Sequence, residues 1–317
     1  MARCTLAGLT LACTLVAASA SAADFPRQPI QLVVGYGPGG GTDMCARALG
    51  QHVAEALGHS VVIENRPGAG SSLSIAYVAR QNADGHTLAT FSTGALMNQL
   101  LPVETGYDVS TDLTAIAQVA QYQMGLLVRA DSPFQRIEDV IAAAKADPQA
   151  ISYSTAGPGT PQHLTMERLG RMADVRWTHV PYKSGPETIL ALMRGDVQVM
   201  SQTAEWVPYV RDGRLRLLAT YGDARMDGFE AAPTLREAGY DLVAPSILGV
   251  VGPRDLPPGV VSTLAAAFEG GMRTPQFAQC ADQFGLKPDF KGPEAFKTHL
   301  ADTLQTWAPV VRDIGLN

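Results

Sequence analysis

An α/β fold with a largely parallel sheet is what this sequence predicts, on three observations. Short apolar runs suited to buried strands alternate with segments of helical periodicity along almost the whole chain. Two of those runs lead into loops rich in glycine and hydroxyl side chains, at 35–43 and 155–160, and each loop opens a helix. The length of 317 residues exceeds what one ordinary core supports and suits two domains.

The first unit is a strand at 31–34, the loop Gly35-Tyr36-Gly37-Pro38-Gly39-Gly40-Gly41-Thr42-Asp43, and a helix over 44–57 with Met44, Ala48, Val53 and Leu57 on one face. A strand at 60–64, a helix over about 73–81 and a strand at 87–90 follow, the last running into Ser92-Thr93-Gly94. A second block begins near Gln123 with a strand at 125–128 and a helix over 137–146 bounded by Ser132-Pro133 and Asp147-Pro148. The strand at 151–154 enters Thr155-Ala156-Gly157-Pro158-Gly159-Thr160, after which Pro161 suits the first helical position with Thr160 as N-cap.

A strand at 178–180 leads through Pro181-Tyr182-Lys183-Ser184-Gly185 into a helix over 187–194 stopped by Gly195. Strand 197–200, helix 206–211 and strand 215–220 complete the block. Near Pro245 the pattern changes to a strand at 247–251, a break at Pro257-Pro258, and helices over about 259–272 and 293–314. These terminal helices must bury an apolar face, and the first block offers a surface. The expected division is therefore a discontinuous domain, 24–124 with 246–317, around a second domain at 125–245.

The N-terminus has the layout of a secretory signal peptide over 1–23. Arg3 is its only charge, an apolar stretch covers 6–18, and small residues cover 19–23, placing cleavage after Ala22 or Ala23. The apolar stretch is too short to span a membrane, and no later segment offers a span. Thr10-Leu11-Ala12 lack the usual Leu three positions ahead of a lipid-anchored cysteine, which argues against lipidation of Cys13. The formal charge of −6 becomes −7 when Arg3 is removed, with basic residues scattered, so there is no footprint for nucleic acid or an anionic membrane. Cys45 and Cys280 remain, and the sequence leaves open whether they pair or are buried thiols.

A helix N-terminus exposes unpaired N–H groups and the positive end of the dipole, and glycines let an anion approach them. The loop at 35–43 thus reads as a backbone anion cradle. It has no Lys after the glycines, against a nucleotide P-loop. Gly35, Gly37 and Gly40 fit a bare dinucleotide pattern with Glu64 about 20 residues on, but Pro38 and export disfavour it. No G-x-S-x-G elbow is present, and the histidines do not cluster beyond His163 with Glu167 four residues on. Neither a metal nor a cofactor is expected. Asp43 reads first as a helix N-terminal acid and second as a ligand acceptor. His163 is a candidate anion donor, Lys183 a charge partner, and Tyr182 and Trp206 candidate pocket walls. Two such loops at the carboxyl ends of strands predict a cleft between domains that grips one anion.

The stretch Phe25-Pro26-Arg27-Gln28-Pro29-Ile30 with Pro38–Asp43 and Ala46-Arg47 resembles the opening of the Bug family, periplasmic receptors of tripartite tricarboxylate transporters. Val61-Val62-Ile63-Glu64-Asn65-Arg66-Pro67-Gly68-Ala69-Gly70, Asp84-Gly85-His86-Thr87-Leu88, Pro181-Tyr182-Lys183, Gly195-Asp196-Val197 and Gly213-Arg214-Leu215-Arg216 continue the match over essentially the whole mature chain. The resemblance implies a two-lobed periplasmic binding protein fold, type II-like, with two strands crossing between lobes near 125–128 and 247–251. It implies a small organic carboxylate as ligand, held by backbone amides and hydroxyls. The residues carried over are Gly39, Gly40, Gly41, Thr42 and Asp43 in one lobe, with Ser92 and Thr93, and Ala156, Gly157, Gly159, Thr160 and His163 in the other. Thr203 and Glu205 fall where relatives often place an Asp or Asn against the far end of the ligand, and here the chain departs from the family. Tyr36 and Gly37 depart too. The implied partners are membrane permease subunits or a sensor, with the receptor a monomer and no catalytic residues. The competing reading, an exported enzyme on a carboxylate, requires Asp43, His163 and Glu205 to converge as acid and base.

Overall fold

The computed structural model describes residues 25–314 apart from Pro245, so the expected signal peptide, Cys13 and the last three residues lie outside the described residues. Two sheets organise the chain. The first is built from β1 (Ile30–Val34), β2 (Val61–Asn65), β3 (Thr87–Ser92), β4 (Leu113–Tyr122), β10 (Leu248–Pro253) and β11 (Leu286–Lys291), in the order β11-β4-β10-β3-β1-β2. The second contains β5 (Met124–Arg129), β6 (Ser152–Thr155), β7 (Thr178–Pro181), β8 (Val199–Thr203) and β9 (Leu215–Thr220), in the order β7-β6-β8-β5-β9.

β4 runs into β5 through the single residue Gln123, which carries the chain from one sheet to the other. The return lies between β9 and β10. β1 pairs parallel with β2 and β3, and β6 with β7 and β8. The pairs made by β10, β11 and β5 are all antiparallel. The sheets are therefore mixed rather than largely parallel. A strand that crosses from the other sheet needs no βαβ connection to set its direction.

Side-chain alternation assigns the helices to faces. Ile30, Leu32 and Val34 point to one side of β1 and pack with α1 (Gly41–Leu57), α8 (Pro258–Met272) and α9 (Pro275–Phe284). Val33 points to the other side, toward α2 (Ser72–Val78), α3 (Thr93–Asn98) and α10 (Pro293–Ile314). In the second sheet, Leu126 and Val128 share a core with α4 (Ile137–Ala146) and α5 (Pro161–Ala173). Leu127 faces α6 (Gly185–Arg194) and α7 (Val207–Arg211).

The terminal helices pack on the first sheet. Buried Phe296 of α10 meets Phe91 of β3 edge-on, the rings 6.3 Å apart. α10 also reaches α5, where Arg168 pairs with Asp313. Strand β4, helices α3 and α9 and strand β11 go beyond the sequence expectation. Cys45 of α1 and Cys280 of α9 form a disulfide, which settles the alternative left open above.

Candidate functional site

The first loop closes on itself through Asp43. Its buried carboxylate accepts from the Gly39 N–H (2.9 Å), from Arg47 (2.9 and 3.1 Å) and from Asn65 Nδ2 (2.8 Å). Asn65 in turn donates to the Tyr36 carbonyl. Burial alone would raise the Asp43 pKa, but these donors outweigh it and hold the carboxyl below its usual range. Asp43 thus fixes the loop and does not line the cleft. Gly39 sits at φ +82, which glycine adopts freely, and Gly40 is an extended N-cap with no side chain to satisfy the first amides of α1.

The second loop is locked by its own side chains. Thr160 caps α5 by accepting from the His163 N–H and donates its hydroxyl to the Gly157 carbonyl. His163 Nδ1 accepts from the Gly159 N–H (3.1 Å), and its ring stacks on His179, centroids 4.1 Å apart. Burial pushes the His163 pKa down to about 4, so the ring is neutral at pH 7. Its accepting nitrogen faces the loop. Gly159, at φ +70, lies against Asn98 and Leu101, where a β-carbon has no room. Glu167, the other half of the four-residue spacing, accepts from Tyr153 instead.

Between the loops lies a small cavity of about 30 Å³, with Tyr36, Thr42, Ser92, Thr93, Tyr122, Gln162, Ser184, Gln202, Thr203, Glu205 and Ser246 as its polar side chains. Of the residues expected to bind ligand, Gly40, Thr42, Ser92, Thr93, Ala156, Thr203 and Glu205 line it. Gly41 contributes its N–H through Glu205, as described below. Gly39, Asp43, Gly159, Thr160 and His163 support the loops behind it. Gly157 lines a neighbouring cavity of about 260 Å³ together with Gly68–Ser71 and Pro181–Lys183. Lys183 and Tyr182 therefore face that second space, and Trp206 is core, donating to the Gln202 carbonyl.

Several lining residues escaped the sequence reading. Ser184 and Gly185 end a third strand–loop–helix unit of the same kind, so their signal was present. Tyr122 closes the unexpected strand β4 and donates to Thr42 Oγ1 at 2.6 Å. Gln162 and Gln202 are joined side chain to side chain at 3.0 Å, and Gln202 also donates to Thr188. Tyr36 shares a hydrogen bond with Ser92, and burial pushes its phenol up to about 12.

Among the described residues Glu205 is the one acid lining the cavity. It stands in the short 3₁₀ turn after β8, and its Oε1 accepts from the Gly41 N–H at the start of α1, 2.8 Å away across the two sheets. Thr203 donates to Oε2 at 3.3 Å. Gly185, at the start of α6, has room for no side chain, since a β-carbon there would lie 1.6 Å from Oε2. Burial pushes the Glu205 pKa up to about 7, against the lowering effect of the Gly41 and Thr203 donors. No Lys, Arg or His lines the cavity among the described residues.

This architecture, two α/β sheets around a polar cleft built at helix N-termini, is that of a periplasmic binding protein. It aligns with BugD, titled a periplasmic binding protein, with a TM-score of 0.87 and 26% identity over 92% of this chain and 99% of that one. The Rhodopseudomonas palustris protein Rpa4515 with adipate aligns with a TM-score of 0.86 and 28% identity, covering 92% and 99% of the two chains. MatC from the same organism with bound malate gives 0.85 and 26%, covering 90% and 100%. A UPF0065 protein from the gbd 5′ region of Cupriavidus necator is 37% identical over all of this chain and 97% of its own. The model of the tripartite tricarboxylate transporter family receptor, TctC, matches residues 45–316. The chain belongs to the TctC receptor family.

Proposed function

We propose that this protein is a periplasmic receptor that captures a small carboxylate between its two sheets, acting as two lobes, and presents it to a tripartite tricarboxylate-type permease. The observation that carries the reading is the cleft itself, in which helix starts and hydroxyls from both sheets converge without a cation. Such a set solvates a carboxylate through hydrogen bonds. Malate and adipate in two solved relatives support the same ligand class. A cavity of about 30 Å³ has room for a water or two, so a dicarboxylate enters only when the lobes part. A hinge then acts where Gln123 and the segment before β10 join the sheets. On this reading the cleft binds rather than reacts, and Asp43 and His163 serve their own loops.

Calorimetry on purified, ligand-free receptor with mono-, di- and tricarboxylates and amino acids tests the reading. Saturable binding of at least one carboxylate, with a raised melting temperature, is expected. Silence across the panel, or steady turnover of a bound compound, overturns it.

A further inference from the structure

We infer that Glu205 sets the specificity of the cleft, selecting carboxylates that also carry an ammonium group over dicarboxylates of the same length. The inference rests on the carboxylate-receptor reading and narrows its ligand class.

The argument starts from position. Glu205 Oε1 takes the first amide of α1, and Oε2 lies against Gly185 at the first residue of α6. The side chain therefore places an acid at the meeting of two helix N-termini, where the field favours an anion. That place in the cleft is already filled by the protein's own carboxyl group. A carboxylate offers about four acceptor positions, and Gly41 and Thr203 use two of them. A donor on the ligand finds the remainder.

The rest of the wall decides the sign of that donor. Tyr36, Thr42, Ser92, Thr93, Ser184 and Ser246 supply hydroxyls that can hold a ligand carboxylate away from Glu205. Among the described residues no basic side chain of the cavity offsets a second anion. Two carboxylates within 4–6 Å disfavour each other's ionised form, whereas an ammonium beside Glu205 favours both charged partners. A zwitterion pairs its cation with Glu205. A dicarboxylate brings like charge to like charge. The reading departs from malate and adipate, the ligands of the two solved relatives.

Matched pairs that differ only in one end group isolate the effect: β-alanine against succinate, 4-aminobutanoate against glutarate, and 5-aminopentanoate against adipate. Calorimetry at pH 8 on the wild-type receptor is expected to show at least a tenfold preference for the amino acid of the best-fitting pair. Glu205→Gln removes the charge and keeps an acceptor for Gly41, and is expected to abolish or reverse that preference. Glu205→Asp keeps the charge and is expected to keep its sign, and thermal unfolding verifies that both variants are folded. Wild-type receptor that binds the dicarboxylate as tightly as its matched amino acid overturns the inference while leaving the carboxylate reading intact. An unchanged ratio in folded Glu205→Gln does the same. No binding of any of the six compounds by the wild type also overturns the inference, while the carboxylate reading falls only if the wider panel is silent as well.

Discussion

The two glycine-rich loops look alike in sequence and are held in opposite ways. The loop before α1 adds partners from far along the chain to the local bonds of Asp43 with Gly39 and Arg47. Asn65 and Arg47 pin Asp43, Glu205 reaches Gly41 from 164 residues away, and the disulfide ties Cys45 to Cys280. The loop before α5 is closed mainly by its own Thr155, Thr160 and His163, through bonds no more than four residues apart, with His179 bonded to Thr155 and stacked on His163 behind it. A shared pattern of glycine and hydroxyl residues thus specifies a helix start but not which amides remain free. The first loop gives its Gly39 and Gly41 amides to Asp43 and Glu205 and sets Tyr36 and Thr42 on the cleft wall, while the second spends most of its polar atoms on shape.

The largest test of that contrast is removal of the distant tie. A Cys45→Ala, Cys280→Ala double variant is expected to lose about 4 kcal/mol in denaturant unfolding, since the bond closes a loop of more than 200 residues. A loss below 1 kcal/mol would show that the first loop is as self-sufficient as the second.

Next comes the internal lock. His163 has its pKa lowered from 6.5 to about 4 in the folded state, so its stabilising contribution is complete above pH 6.5 and is lost as pH falls toward 4. The loss amounts to about 3 kcal/mol. Unfolding curves across that window are expected to be flatter for His163→Asn than for wild type.

Glu205 has the opposite sign. Its pKa is raised from 4.5 to about 7, so its burial costs nothing below pH 4.5 and the penalty is complete above pH 7. Glu205→Gln is expected to be more stable than wild type by about 2 kcal/mol at pH 8, less than the full shift because the side chain is partly open to the cleft. The difference should vanish at pH 4.5, and a gain that persists there would mean that packing, not charge, is responsible. The smallest effect belongs to Thr160→Ala, which removes the α5 cap and should cost about 1 kcal/mol in the same unfolding assay.

The sequence made the locally determined parts of the molecule legible. Helix α4 and strand β9 fall at 137–146 and 215–220 as read, and Thr160 and Gly195 cap where their chemistry requires. β4 is not legible in the sequence because Ala and Gln interrupt the Ile, Val and Tyr of Leu113–Tyr122, and Ala has little preference for strands. β11 was missed because Pro288 interrupts it, which an edge strand tolerates. In the cleft, the glycine loops were visible but the destination of each side chain was not. Asp43 was read first as a helix N-terminal acid, and its neighbours make it a loop clasp. Glu205 was noted as a departure from the family, yet its bond to Gly41 exists only after two sheets meet.

Strand order imposes a schedule on a chain that is made N-terminus first. β5 to β9 are contiguous, so the second sheet can assemble as soon as residue 220 has emerged. The first sheet cannot, because β10 lies between β3 and β4 and joins two sets of strands that share no ladder without it. Until residue 253 is out, β1, β2 and β3 form one fragment and β4 another. The N-terminal part of this protein is therefore the last to be finished, and a chain halted near residue 240 carries one complete sheet and two fragments of the other.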